Sequence, residues 1–208
     1  MSFLLACTAP PTVPPGSDRP DIVLVSIDTL RADHLRSYGY ARDTSPTIDA
    51  LAARGALFLD ARSPAPWTLP AHATMLTGLL PANHEVIEDG LGLADDTPRL
   101  ASVLGAAGYR TGAFVTALFV SRTYGFDRGF ERFEDFDIRT MKENLTKETD
   151  AGDVVDAALA WWSTVPAGEP VFLFLHFYDV HYDYDPPGPY GSIFDRPPSR
   201  KTRRISSC

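Results

Sequence analysis

Apolar residues in this chain fall into two kinds of run, short continuous ones and longer periodic ones. Asp21-Ile22-Val23-Leu24-Val25-Ser26-Ile27 is almost wholly apolar and β-branched, the pattern of a strand covered on both faces. Thr44-Ser45-Pro46 then gives a capping residue and a proline for a first helical position; Ile48, Leu51 and Ala52 share one face before Gly55. Ala56-Leu57-Phe58-Leu59 reads as a second short strand. Pro70 to Leu76 repeats the helix-start chemistry and stops at Gly78. Thr97-Pro98 opens a further helix whose stripe is Leu100, Val103, Leu104 and Ala107, with Gly108 closing it. Tyr109–Val115 is a third strand, Asp153–Thr164 a helix carrying Val154, Val155, Ala158, Leu159 and Trp162, and Val171–Phe177 a fourth, strongly buried strand. Short apolar strands separated by capped helices predict an α/β fold, with a mostly parallel sheet and helices on both faces.

Composition narrows the class. The chain has 208 residues, 44% hydrophobic and 22% charged, with a net charge of −8. That is ordinary for a folded domain, and the acidic balance argues against nucleic acid as a partner. No run approaches the roughly 18 apolar residues of a spanning helix, so no transmembrane segment is expected. The two cysteines, Cys7 and Cys208, make neither a disulfide framework nor a zinc cluster. Residues 1–18 read as a signal remnant or Pro-rich tether: Leu4-Leu5-Ala6-Cys7 is like the end of a bacterial lipoprotein signal, although the basic start and the full apolar region are missing. A lipid anchor at Cys7, and with it a periplasmic or cell-envelope location, is one expectation; an ordinary frayed terminus is the other. Residues 19–194 form the body of the domain. Residues 195–208 reverse the charge, with Arg196, Arg200, Lys201, Arg203 and Arg204 against Asp195, and read as a basic disordered tail, either an interaction arm or sequence left by a frameshift.

In parallel sheets, ligands gather where strands end and loops begin. Asp28 follows the first strand directly, where a carboxylate is placed to bind a divalent cation, or simply to cap a turn. Thr68 stands at or just before a helix start, where free N–H groups and the helix dipole favour an anion. Its hydroxyl is a candidate nucleophile, and His72, one turn later, a candidate hydrogen-bond donor to that anion. The plainer alternative makes Thr68 an N-cap and His72 a surface residue. His181 follows the fourth strand in a stretch dense in His, Asp and Tyr, where it could protonate a leaving oxygen or bind the transferred group. His176, inside the strand, reads as a satisfied buried histidine. His34 and His84 read as solvated loop residues.

Taken together, these stretches resemble the sulfatase family of the alkaline-phosphatase-like superfamily. The resemblance runs from Arg19-Pro20-Asp21 through Asp28-Thr29-Leu30-Arg31-Ala32-Asp33, Tyr38-Gly39-Tyr40, Thr44–Ala52 and Thr68-Leu69-Pro70-Ala71-His72-Ala73 to Leu76-Thr77-Gly78. It continues through Gly108-Tyr109-Arg110-Thr111, Gly125–Phe130 and Phe172–Pro187, in the family's order.

The resemblance implies metal-dependent cleavage of a sulfate ester, with Ca²⁺ the usual ion and Mn²⁺ or Zn²⁺ as alternatives, on a sulfated or phosphorylated small molecule or glycan. It makes Asp28 the first metal-binding acid. Thr68 stands where the family has the Cys or Ser converted to formylglycine, His72 at the arginine of that motif, and His181 at a sulfate-contacting histidine. Thr68 cannot be oxidised to formylglycine by the usual route, which opens a second reading: a phosphoester or phosphonate hydrolase with Thr68 as nucleophile. Thr29 replaces a second metal acid, and Val115-Thr116-Ala117-Leu118 replaces a Gly-Lys-x-His segment. Because further metal ligands and a lysine are expected from a second half of the family domain, a third reading is a truncated, non-catalytic remnant. The same shortening predicts an exposed strand edge and apolar surface.

Overall fold

A computed structural model describes residues 19–136, 149–181, 186 and 188–194. Cys7, Cys208 and the basic tail lie outside the described residues. Four parallel strands, β1 (Ile22–Ile27), β2 (Arg110–Val115), β3 (Arg132–Glu134) and β4 (Val171–Phe177), form a sheet in the order β1-β4-β2-β3. Among the described residues the α-helices are α1 (Pro46–Ala52), α2 (Thr68–Thr77), α3 (Pro81–His84), α4 (Leu100–Ala106), α5 (Ala151–Trp162) and α6 (Tyr190–Ile193).

β4 is covered on both sides because its side chains alternate between two cores. Phe172 and Phe174 pack with Leu69, Ala73 and Leu76 of α2 and Ala101 of α4. Val171, Leu173 and Leu175 face the other way, onto Val154 and Ala158 of α5. α5 begins with a capping box: Asp150 accepts from the Asp153 N–H, and the Asp153 side chain accepts from the Asp150 N–H. It lies so close to β2 that a Cβ at Gly112 would stand 2.5 Å from the Trp161 ring. Only glycine fits there.

Four sequence expectations are corrected. β1 is not covered on both faces: Val23 and Val25 are 48% and 49% exposed, because α5 packs over β2 and β4 and stops short of β1. Ala56–Leu59 is not a strand. Strands exist by pairing, and among the described residues no ladder includes this run, so Phe58 and Leu59 stand 72% and 79% exposed. α4 starts two residues after Pro98, buries Ala101 and turns Val103 outward. Finally, His84 is buried, not solvated. Its Nδ1 accepts from the Val86 N–H at 3.0 Å and its Nε2 lies 3.1 Å from Thr74 Oγ1.

Candidate active site

The carboxyl ends of β1 and β4 are tied together: the Asp28 N–H donates to the Phe177 carbonyl at 2.9 Å. Thr29 closes the same corner by donating its hydroxyl to the Val180 carbonyl, with its backbone held at φ 55. A β-branched residue rarely adopts that conformation, so the packing around the turn enforces it.

Alternation along β1 puts Ile22, Leu24, Ser26 and Asp28 on the α2 side of the sheet. Thr68 opens α2, with Trp67 rather than Thr68 as its N-cap. The two meet: Thr68 Oγ1 donates to Asp28 Oδ2 at 3.1 Å. Burial alone would push the Asp28 carboxyl up; the facing His176 and the Thr68 hydroxyl outweigh it and hold the carboxyl below its ordinary range.

His72 lies beneath this pair and is buried, not on the surface. One ring nitrogen, Nδ1, is 2.8 Å from the Thr68 carbonyl and the other, Nε2, 2.9 Å from Ser26 Oγ. A carbonyl only accepts, so Nδ1 carries the proton and Nε2 accepts from Ser26. Burial, reinforced by the neighbouring His176, pushes the His72 pKa down to about 4. With both nitrogens engaged inside the protein, His72 braces the start of α2 and does not present a donor to a bound anion, which differs from the sequence expectation.

His176 departs from the satisfied strand histidine that the sequence suggests. It is fully buried, and neither ring nitrogen has a hydrogen-bond partner among the described residues. Nε2 points at Asp28 Oδ2 from 3.6 Å, longer than a hydrogen bond, and the His72 ring stands edge-on with centroids 5.0 Å apart. His176 and Ser26 are register partners across β4 and β1. Their parity with Asp28 was readable in the sequence, but the register that aligns the two strands was not.

His181 sits in the turn after β4, its N–H bonded to the Tyr178 carbonyl at 2.8 Å and its ring stacked on Tyr178. The structure therefore joins Asp28, Thr68 and His72 into one cluster with Ser26 and His176, and places His181 in a neighbouring turn at the same end of the sheet. Thr116 links them: its hydroxyl donates to the His176 carbonyl and accepts from the Tyr178 N–H, both at 3.1 Å.

The cluster offers a cation one carboxylate, one hydroxyl and one imidazole. Among the described residues no three His, Cys, Asp or Glu side chains are grouped to hold a metal ion. A hard divalent ion takes about six oxygen donors. These residues do not fit one by themselves. No helix among the described residues is long and apolar enough to cross a membrane.

Comparison with known proteins settles the kinship. The sulfatase family model matches residues 20–206. The chain belongs to the sulfatase family. Arylsulfatase A of Bos taurus is 39% identical over 99 residues, which are 45% of this chain and 20% of that enzyme. Two solved structures share the fold. One is the phosphonate monoester hydrolase of Agrobacterium radiobacter, with a TM-score of 0.68 and 23% identity over 83% of this chain and 43% of that one. The other was solved in complex with its substrate D-glucosamine-2-N,6-O-disulfate, with a TM-score of 0.71 and 18% identity over 86% of this chain and 39% of that one. This sulfatase-family chain thus spans less than half the length of each.

Proposed function

We propose that the protein is a sulfatase-like hydrolase in which the Thr68 hydroxyl attacks a sulfate ester of a small molecule or glycan. The observation that carries this reading is the 3.1 Å hydrogen bond from Thr68 Oγ1 to Asp28 Oδ2 at the start of α2. An anion fits there because the first-turn N–H groups of α2 and its dipole favour negative charge. As the Oγ–S bond forms and the ester S–O bond breaks, Asp28 Oδ2 accepts the hydroxyl proton and His181 gives a proton to the departing oxygen. Water then attacks the sulfur of the Thr68 sulfate ester and gives a proton to His181, while Thr68 Oγ departs with the proton held by Asp28, so that sulfate is released and all three groups are restored. His72 keeps Thr68 in place through its carbonyl.

The competing reading transfers phosphorus instead of sulfur through the same hydroxyl, and the fold shared with a phosphonate monoester hydrolase supports it. Turnover of an aryl sulfate against an aryl phosphate and a phosphonate monoester separates the two. Sulfate preference supports the first, and phosphate or phosphonate preference overturns it. Thr68→Ala is expected to lower turnover by about 10³-fold or more, the scale of removing a nucleophile. Full activity in that variant would remove Thr68 from the role. Because the donor set does not complete a coordination shell, calorimetric titration with Ca²⁺, Mn²⁺ or Zn²⁺ is expected to give no tight saturable binding. A micromolar site would show that residues outside the cluster finish the shell.

A further inference from the structure

We infer that His176 is a positioning residue whose Nε2–H steadies Asp28 once the Thr68 hydroxyl has passed its proton to that carboxyl. The inference rests on the Thr68 reading above.

The strand position itself asks for an apolar residue. Phe172 and Phe174 occupy the preceding positions on the same face, and a third apolar ring would pack there with no polar atoms to satisfy. A fully buried imidazole with no hydrogen-bond partner among the described residues is a cost to the fold, and such groups are uncommon without a function. Its aim is specific. Nε2 faces Oδ2 of Asp28, the same oxygen that receives the Thr68 hydroxyl.

The ring is also held. Its backbone lies in the parallel ladder between β1 and β2, its carbonyl accepts from Thr116, and the His72 ring packs against it. While Thr68 donates to Oδ2, the contact at 3.6 Å is longer than a hydrogen bond. Once Thr68 Oγ is bonded to the transferred group and its proton has passed to Asp28, the hydroxyl no longer donates to that carboxyl, and closing the gap to His176 by a few tenths of an ångström gives the carboxyl a donor again. No proton is transferred to or from His176 in this role. It supplies a donor from a rigid strand, so that the Asp28 carboxyl keeps its orientation until the proton is returned.

The direct test is long-range ¹H–¹⁵N NMR of the full chain labelled at histidine. The His176 ring is expected to carry its proton on Nε2, and Asp28→Asn in the folded protein should shift that signal. A ring protonated on Nδ1 alone, or a signal indifferent to Asp28→Asn, overturns the inference; neither outcome depends on turnover. Activity gives a second arm. His176→Phe should lower kcat about tenfold with KM little changed, and His176→Gln, which keeps an N–H near the position of Nε2, should recover most of it. Equal activity in the Phe variant, or loss in Phe that Gln fails to recover, assigns His176 to packing alone. Thr68→Ala distinguishes the two levels: if that variant stays active, the proposed function fails whatever the histidine spectrum shows.

Discussion

The two ends of the sheet are built on opposite principles. At the amino end, polar groups are paired off to fasten the strands. Asp21 accepts from the Val171 N–H at 2.8 Å, Tyr109 donates to the Pro20 carbonyl, Arg19 to the Ala107 carbonyl, and Arg110 bridges Glu131 and Glu169 at 2.6 and 3.1 Å. At the carboxyl end, a buried histidine has no hydrogen-bond partner among the described residues, and Thr29 and Phe136, which follow β1 and β3, adopt positive φ. Unsatisfied and strained groups cost stability, so a fold keeps them where they serve a purpose. The contrast supports the proposal that the working end is the carboxyl end, although Glu85 after α3 also adopts positive φ.

Substitutions at each end can break that contrast. Its largest expected expression is in turnover: the loss expected for Thr68→Ala should have no counterpart in Asp21→Ala, which lies at the opposite end. Equal losses in the two variants would mean that both act through stability.

The next effect is acid sensitivity. His72 returns to its ordinary pKa near 6.5 on unfolding but is held at about 4 in the fold. Between those values the unfolded chain binds more protons, so stability is complete above pH 6.5 and falls as pH drops towards 4, by up to about 3 kcal/mol. Urea unfolding across this range should show the decline, and His72→Gln should flatten it. An equal slope in that variant would assign the sensitivity to other groups.

At the fastening end, Asp21→Ala leaves the buried Val171 N–H without its partner and should cost about 1 kcal/mol in the same unfolding measurement. Arg110→Ala is the smallest change. Its guanidinium is partly exposed, and such pairs contribute roughly 0.2–1 kcal/mol, reduced further by salt. A larger loss would mark Arg110 as more than a surface fastener.

Much of the fold was legible because the sequence patterns are local. The bounds of β4 agree with its apolar run residue for residue, and α1 starts at Pro46 as expected, although the Ser45 side chain does not cap it. Ala56–Leu59 was misread because its composition is that of a strand while pairing is a property of neighbours. His176 was misread for a related reason. Burial follows from its place in an apolar run, but its satisfaction depends on what stands opposite, and that is Asp28 from a strand more than 140 residues earlier. His72 was placed correctly one turn after Thr68, yet whether its nitrogens faced a ligand or the protein turned on Ser26, which lies on β1.

The sequence by itself determined the α/β alternation, the family kinship and the candidacy of Asp28 and Thr68, because each is written in short motifs and in strand or helix periodicity. The tertiary structure alone decided that β4 lies between β1 and β2 and that Ser26 stands beside His176. It also decided that two histidines five ångströms apart have opposite hydrogen-bonding states. Periodicity fixes which way a side chain points relative to its own backbone. Only the register between strands fixes what it meets.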